Sequence, residues 1–219
     1  MNTLEAETLT VSEAAVVSSI SVREVNRAID EKFLPAPLYA TGQERLRRFS
    51  AKACVLLSFY FNAANRLTAE ERLRVIALAS QQWNEGPEIA FEKEWLIRRE
   101  FLTVDLAPFL REVRQRLAQL KVARAQVVED PEILRGTPVI RGTRVPVYDV
   151  ASSVAAGEPL PRILEAYPSL TGKDIELAAL YAKAVPLRGR PNTAPILPVN
   201  AVVLSHYRAP RKQALKKAS

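Results

Sequence analysis

At Thr10-Val-Ser-Glu13, Ser21-Val-Arg-Glu24 and Thr68-Ala-Glu-Glu71 a hydroxyl residue is followed three positions later by a glutamate, each time ahead of an apolar helical pattern. In such a capping box the hydroxyl accepts a hydrogen bond from the backbone three residues on, and the glutamate reaches back to the cap's own N–H. The pattern therefore fixes three helix starts. Val11, Ala14, Ala15 and Ile20 give the first helix an apolar stripe, and Val22, Val25, Ala28 and Ile29 give one to the second. With Ser18-Ser19 as the turn between them, the two short helices read as a helix-turn-helix. Past Leu34-Pro-Ala-Pro37, the segment Leu38 to Phe49 predicts two short strands about a turn at Thr41-Gly42, and a helix follows from Ser50 to about Asn65.

The third box opens an amphipathic helix running to about Gln82, which ends before a Gly86-Pro87 break. Phe101 to Leu106 has strand composition, and Pro108 opens a further helix. Phe109, Val113, Leu117 and Leu120 form one face of that helix, while Arg111, Arg114, Arg116, Lys121 and Arg124 oppose the single acid Glu112. This basic stripe reads as a solvated face, with a phosphate-contacting surface as the alternative. Between Thr137 and Val147, Pro138 and Pro146 limit the chain to an edge strand or paired ribbon, with Gly136 and Gly142 at turns or bulges. Three helices follow, at about Val147 to Ala156, Leu160 to Tyr167 and Thr171 to Ala184. An exposed ribbon needs a partner, so Val139, Ile140, Val145 and Val147 are expected to pair with a second copy and form a homodimer.

Charge divides the chain unevenly. Seven of its 31 basic residues lie beyond Val185 with no acid among them, leaving 24 to balance the 24 acids of the body. Five of the 15 prolines also fall there, which rules out regular structure over 186–198 and predicts an extended tail. A solubilising terminus is the plain alternative. It does not account for the six branched apolar residues between Ile196 and Leu204, which suit a segment that folds on a partner.

Composition excludes several chemistries. Cys54 is the only cysteine and sits in an apolar run, so neither an internal disulfide nor a cysteine zinc site is expected. His206, the only histidine, lies in the tail, which argues against a histidine general base. Gly136 to Thr143 lacks the spacing and the Lys-Ser/Thr of a phosphate-cradling loop. The expected protein is not an enzyme and holds no metal or cofactor. The apolar run from Ala53 to Phe61 is too short to span a bilayer, and the acidic opening residues do not suit a signal peptide, so a cytoplasmic protein without membrane contact is expected.

Two resemblances give these segments a context. LTVSEAAVVSSISVREVNRAIDEKFL followed by RRFSAKACVLL resembles the MerR-like winged helix-turn-helix family over roughly the first 65 residues. Asp130-Pro-Glu-Ile-Leu-Arg-Gly-Thr-Pro-Val-Ile-Arg-Gly-Thr-Arg-Val-Pro-Val147, with Ile163 to Leu170 and Asp174-Ile-Glu, resembles the domain of unknown function 433 from about Val128 to Tyr181. Together they imply a mainly α chain with short β elements. Its parts are a winged helix-turn-helix over 1–66, a helical connector with short strands over 67–127, a three-helix dimerisation module with a β-ribbon over 128–185, and the tail over 186–219.

The second resemblance implies a module that recurs in VapB-type antitoxins, between a DNA-binding domain and a toxin-binding tail. The partners expected on that basis are operator DNA, a second copy, and a toxin of the PIN-domain ribonuclease class. The helix capped by Ser21 is expected to turn Arg23, Asn26 and Arg27 toward the major groove, with Arg45, Arg47 and Arg48 of the wing on phosphates. The toxin-binding residues are expected among Arg188, Arg190, Ile196, Leu197, Val199, Val202, Leu204, Tyr207, Arg208 and Arg211, with Arg208 the foremost candidate to enter the toxin's site. The alternative is a stand-alone MerR-like transcription regulator whose tail contacts DNA.

Overall fold

The boxes at Thr10 and Ser21 start α1 (Val11–Ser18) and α2 (Val22–Asp30) in the computed structural model, which describes residues 8–35, 38–41, 47–85, 96–99 and 102–187. In both, the cap hydroxyl accepts from the backbone of the glutamate, and the glutamate carboxylate accepts from the backbone of the cap. Ser19 ends α1 in the left-handed region at φ 57°, and the Ile20 N–H returns to the Ala15 carbonyl at 3.0 Å. That turn sets the angle between α1 and α2.

Strands β1 (Tyr39–Thr41) and β2 (Arg47–Phe49) pair antiparallel, with Tyr39 opposite Phe49. Leu9 adds a bridge on the far side of β2, exchanging hydrogen bonds of 2.9 and 2.8 Å with Phe49. The ribbon is thereby stitched to the residue that precedes α1. Helix α3 (Ala51–Asn62) is buried along almost its whole length and forms the central rod of the first core. Helix α4 (Ala69–Glu85) begins at the third box, where Thr68 and Glu71 cap each other. A hairpin of β3 (Leu96–Arg99) and β4 (Leu102–Asp105) follows.

Helix α5 (Ala107–Ala125) opens with Pro108 in its first turn, where the missing N–H costs nothing. Beyond it come β5 (Val127–Val128), β6 (Val139–Ile140), α6 (Val147–Ala155), α7 (Leu160–Ala166) and α8 (Gly172–Ala184). Thr171 and Asp174 form a fourth capping box, ahead of α8. The structure is mainly helical, with short antiparallel strand pairs. Among the described residues no helix is long and apolar enough to cross a membrane.

Two apolar clusters hold these elements. The first gathers α1 to α5 and the β1–β2 ribbon around Phe49, Leu56, Leu57 and Phe59, and the second gathers Ile140, Val147, Val150, Ile163 and Ile175 of the C-terminal helices. Each such side chain contributes roughly 1.5–3 kcal/mol on burial. Helices α5 and α8 belong to both clusters. Leu117 and Leu120 of α5 face the first and Ala123 the second, while Ala184 of α8 reaches the first and Ile175, Ala178 and Tyr181 the second.

This sharing packs together the segments on either side of residues 66 and 127. By their contacts the described residues up to Pro186 form one compact unit. The physical reason lies in α1, which buries Ala14, Ala15, Val17 and Ser18 and so needs neighbours on more than one side; it packs on α3, α5 and α8. The apolar face of α5 also differs in detail, with Leu110 buried and Phe109 half-buried against Phe59.

The ribbon expected to pair with a second copy is closed within the chain. On one side β6 pairs with β5, Val128 opposite Val139 and Val127 opposite Ile140. On the other side the Ile140 N–H donates to Val145 O and the Val147 N–H to Pro138 O, both at 3.0 Å. Val139, Ile140 and Val147 are buried and Val145 half-buried, so these side chains are used inside the protomer and do not form an exposed dimerisation edge. Other residues of the same motif serve structure too: the Arg141 side chain donates to the Ala125 carbonyl at 2.8 Å and so caps the end of α5. Leu134 and Arg135 precede Gly136 in a run of three positive φ angles of 47°, 58° and 80°, an uncommon conformation for the first two.

Cys54 lies wholly inside α3, and burial pushes its thiol up to about 12. Thiolate reactivity is thereby suppressed. A thiol-specific reagent at mildly alkaline pH is expected to label no cysteine in the native protein and a single one in denaturant; fast native labelling would show that the core around α3 opens readily.

Candidate nucleic-acid interface

Helix α2 buries Val25 and Ala28 and leaves Val22, Arg23, Arg27 and Asp30 exposed, with Asn26 half-buried between them. The exposed face borders a cleft of about 800 Å3, lined by Val22, Arg23, Glu24, Asn26, Arg27, Asp30 and Glu31. Ser21 spends its side chain on capping: its Oγ accepts from Glu24 N at 3.2 Å and donates to Glu24 Oε2 at 2.8 Å.

The β1–β2 ribbon is joined to this face through Arg47. Its Nη1 donates to Asn26 Oδ1 and its Nη2 to Asp30 Oδ1, each at 2.9 Å. The guanidinium thus fixes the ribbon against α2 and offsets the charge of Asp30. With five N–H donors in its fork, Arg47 retains others beyond these two bonds. Arg48, its neighbour on β2, is exposed opposite Ala40.

A second pairing offsets the other acid. Arg27 donates to Glu31 through Nε at 2.8 Å and Nη2 at 3.4 Å, and its guanidinium lies 5.8 Å from the Phe33 ring centroid. The hydrogen bond and charge of Glu31 hold Arg27 still more firmly in its charged form. Phe33 in turn stacks on Tyr60 of α3 at 4.4 Å, which fixes the end of α2 on the core. The face therefore presents arginines and the Asn26 amide, with Asp30 and Glu31 paired to arginines and Glu24 held by Ser21 in the cap. Phosphate oxygens compete well for such arginines, since charge-assisted bonds to Arg are strong and often bidentate.

Of the residues expected at this interface, the structure brings Arg23, Asn26, Arg27 and Arg47 together on α2 and its ribbon, leaves Arg48 exposed at the next position of β2, on the strand face opposite Arg47, and assigns Ser21 to the cap. Arg45 lies outside the described residues, as do Arg188, Arg190, Ile196, Leu197, Val199, Val202, Leu204, Tyr207, Arg208 and Arg211 of the tail. The sequence reading missed the anchoring of Arg47 on α2, because bonds between residues of separate elements leave no local pattern. It also read the basic stripe of α5 as a solvated face, with a phosphate-contacting surface as the alternative, and did not foresee contacts within the protein. Arg124 instead donates to the buried Glu13 of α1 at 2.7 Å, and Arg116 is only 29% exposed.

Residues 127–182 match the family described as protein of unknown function (DUF433). Over 212 residues the chain is 48% identical to the uncharacterized protein y4eO of Sinorhizobium fredii (strain NBRC 101917 / NGR234), covering 95% of this chain and 95% of that one. The chain belongs to the y4eO family. Its DUF433 segment runs from β5 to the last turn of α8, so in this y4eO-family protein the segment includes the helix that packs on α1. A solved structure, that of Rv2018 from Mycobacterium tuberculosis, aligns with 78% of this chain and 96% of its own at 17% identity and a TM-score of 0.30, too low to establish a shared fold.

Proposed function

We propose that this y4eO-family protein is the antitoxin of a type II toxin–antitoxin pair, a cytoplasmic homodimer that binds operator DNA and neutralises a toxin through its tail, residues 186–219. The observation that carries the DNA-binding half is the Arg47 fork, which joins a two-stranded ribbon to the exposed face of a capped second helix. A helix held in that way, with Arg23, Asn26 and Arg27 outward, suits the major groove, while Arg48 and the spare donors of Arg47 suit phosphates. Support for the toxin-binding half comes from the tail, with seven cations, no acid and a run of branched apolar residues. A PIN-domain ribonuclease is the expected class of toxin by the resemblance given above. The same cations also suit DNA phosphates, which favours a stand-alone regulator as the second reading.

The DNA half is tested by titrating the DNA upstream of the coding sequence, and a random duplex, over a range of salt. Arg48→Ala is expected to weaken both duplexes by on the order of tenfold at about 0.1 M salt and to lower the salt slope by about one. Arg47→Ala should weaken binding further, because it also leaves the Asp30 carboxylate unpaired beside the phosphates. Unchanged affinity and slope in both variants would remove the ribbon from the interface.

A further inference from the structure

At the N-terminal end of α2 a groove of about 670 Å3 separates the α1–α2 turn from α5 and α8, and its polar lining is Ser12, Ser19, Ser21, Arg116, Gln119 and Lys183, with Glu24. Three hydroxyls, a carboxamide and two cations thus face a single carboxylate. That carboxylate is already engaged, since Glu24 Oε2 accepts from the Ser21 N–H at 2.7 Å and from the Ser21 hydroxyl at 2.8 Å. Arg116 is only half used: Nη2 donates to Glu112 at 3.1 Å, while Nη1 is buried with no acceptor among the described residues. A buried guanidinium N–H without an acceptor is unfavourable, and since the Arg116 side chain is 29% exposed at the groove, a modest turn of the guanidinium would let an anionic oxygen seated there satisfy it.

The position of the groove identifies the anion. Val22 and Glu24 line both it and the cleft along α2, so the two surfaces are continuous around the start of that helix. The ribbon grips α2 farther along, at Asn26 and Asp30. A helix lying in the major groove, about 12 Å wide, has a sugar-phosphate strand on each side of its path. We infer that the α1–α5–α8 groove seats the second of these strands, with Arg116 and Lys183 as its phosphate contacts. The inference rests on the DNA-binding reading above and extends the interface to α8, the helix that closes the DUF433 segment. That segment then has a direct part in holding DNA in addition to supporting the fold.

The test uses the full-length protein, the upstream DNA fragment and a random duplex of equal length, with anisotropy titrations from about 50 to 200 mM salt. Lys183→Ala and Arg116→Gln are each expected to weaken both duplexes by the same factor, on the order of tenfold at about 0.1 M salt, and to lower the salt slope by about one. Lys183→Glu should weaken them further. Lys183 is exposed at the end of α8, so its variants keep the fold even where Arg116→Gln loosens α5. Wild-type affinity and slope in Lys183→Glu would overturn the inference, as would a loss confined to the upstream fragment, because phosphate contacts carry no sequence preference. If wild-type protein bound both duplexes and only the Arg47 and Arg48 variants were weakened, the groove assignment alone would fail. If wild-type protein bound neither duplex, the DNA-binding reading would fall with it.

Discussion

Ending the chain after Leu187 is expected to abolish neutralisation of the toxin while leaving folding and DNA binding intact. The cut lies just beyond the compact unit of residues 1–186 and spares the hydrogen bond from the Tyr148 hydroxyl to the Val185 carbonyl, 2.7 Å long, that secures the end of α8. What is removed is the cationic, proline-rich segment with its apolar run. A metal-dependent nuclease holds its ion with several carboxylates, and an arginine entering that site can hydrogen-bond them bidentately. On this mechanism the residues Ile196 to Leu204 anchor in a groove of the toxin while Arg208 reaches the carboxylates, and Lys212, Lys216 and Lys217 steer the encounter. Co-expression decides the matter: cells carrying the toxin and the truncated protein should stop growing, whereas the full chain protects them. Protection by the truncated protein would remove the tail from the inhibitory mechanism. A large loss of DNA affinity on truncation would favour the stand-alone regulator.

Replacing Arg124 by Ala should cost about 2–3 kcal/mol and lower Tm by about 5–10 °C in a unit of this size. Glu13 is only 9% exposed and Arg124 32%, so the cost is set below that of a fully buried pair to allow for screening at the arginine. Removing the arginine leaves the carboxylate in the core, held from the cap by the Thr10 N–H at 2.8 Å. Burial pushes the Glu13 carboxyl up, but the Thr10 backbone and the hydrogen bond and charge of Arg124 together outweigh it and hold its pKa below the usual range. Asp174 and Glu71 are lowered as well, by their bonds with Thr171 and Thr68. A carboxyl depressed in the folded state contributes stability that is complete above its unfolded pKa, about 4.3, and is lost as pH falls through the folded value. Stability should therefore hold from neutral pH to about 4.5 and drop below it. Glu13→Gln should make that acid limb shallower, as read from urea midpoints at successive pH values. Identical acid limbs in the two proteins would mean that the pair does not stabilise the fold.

What could be read in advance was what is local. Thr10, Ser21 and Thr68 announced their helices because a capping box is complete within four residues, and Pro108 announced α5 because proline suits the first turn. The Thr171–Asp174 box ahead of α8 is just as local. The residue set around α2 was also visible, since a short helix with two buried apolar positions has only one outer face. Contacts between distant segments were not. Nothing near Arg47 signals Asn26 or Asp30, and nothing near Glu13 signals Arg124, because these pairs exist only once the tertiary fold brings the elements together. The Val139–Val147 segment misled for a related reason. Pro138 and Pro146 do mark interrupted strands, but the partners that close them are Val127-Val128 and the segment's own return from Val145 to Val147, a hairpin too short to leave an alternating pattern.

The sharing of α5 and α8 between the two cores bears on how such a protein is destroyed. A protease that pulls on the chain from its C-terminal side has to extract α8. Extracting that helix takes Ile175, Ala178 and Tyr181 from one core and Ala184 from the other, and it bares the sides of α1 and α5 that packed on it. The core around α1 and α3 then loses a wall at the same moment as the core of the C-terminal helices. Degradation started at the tail would leave no surviving N-terminal repressor, so inhibition of the toxin and occupancy of the operator would end together.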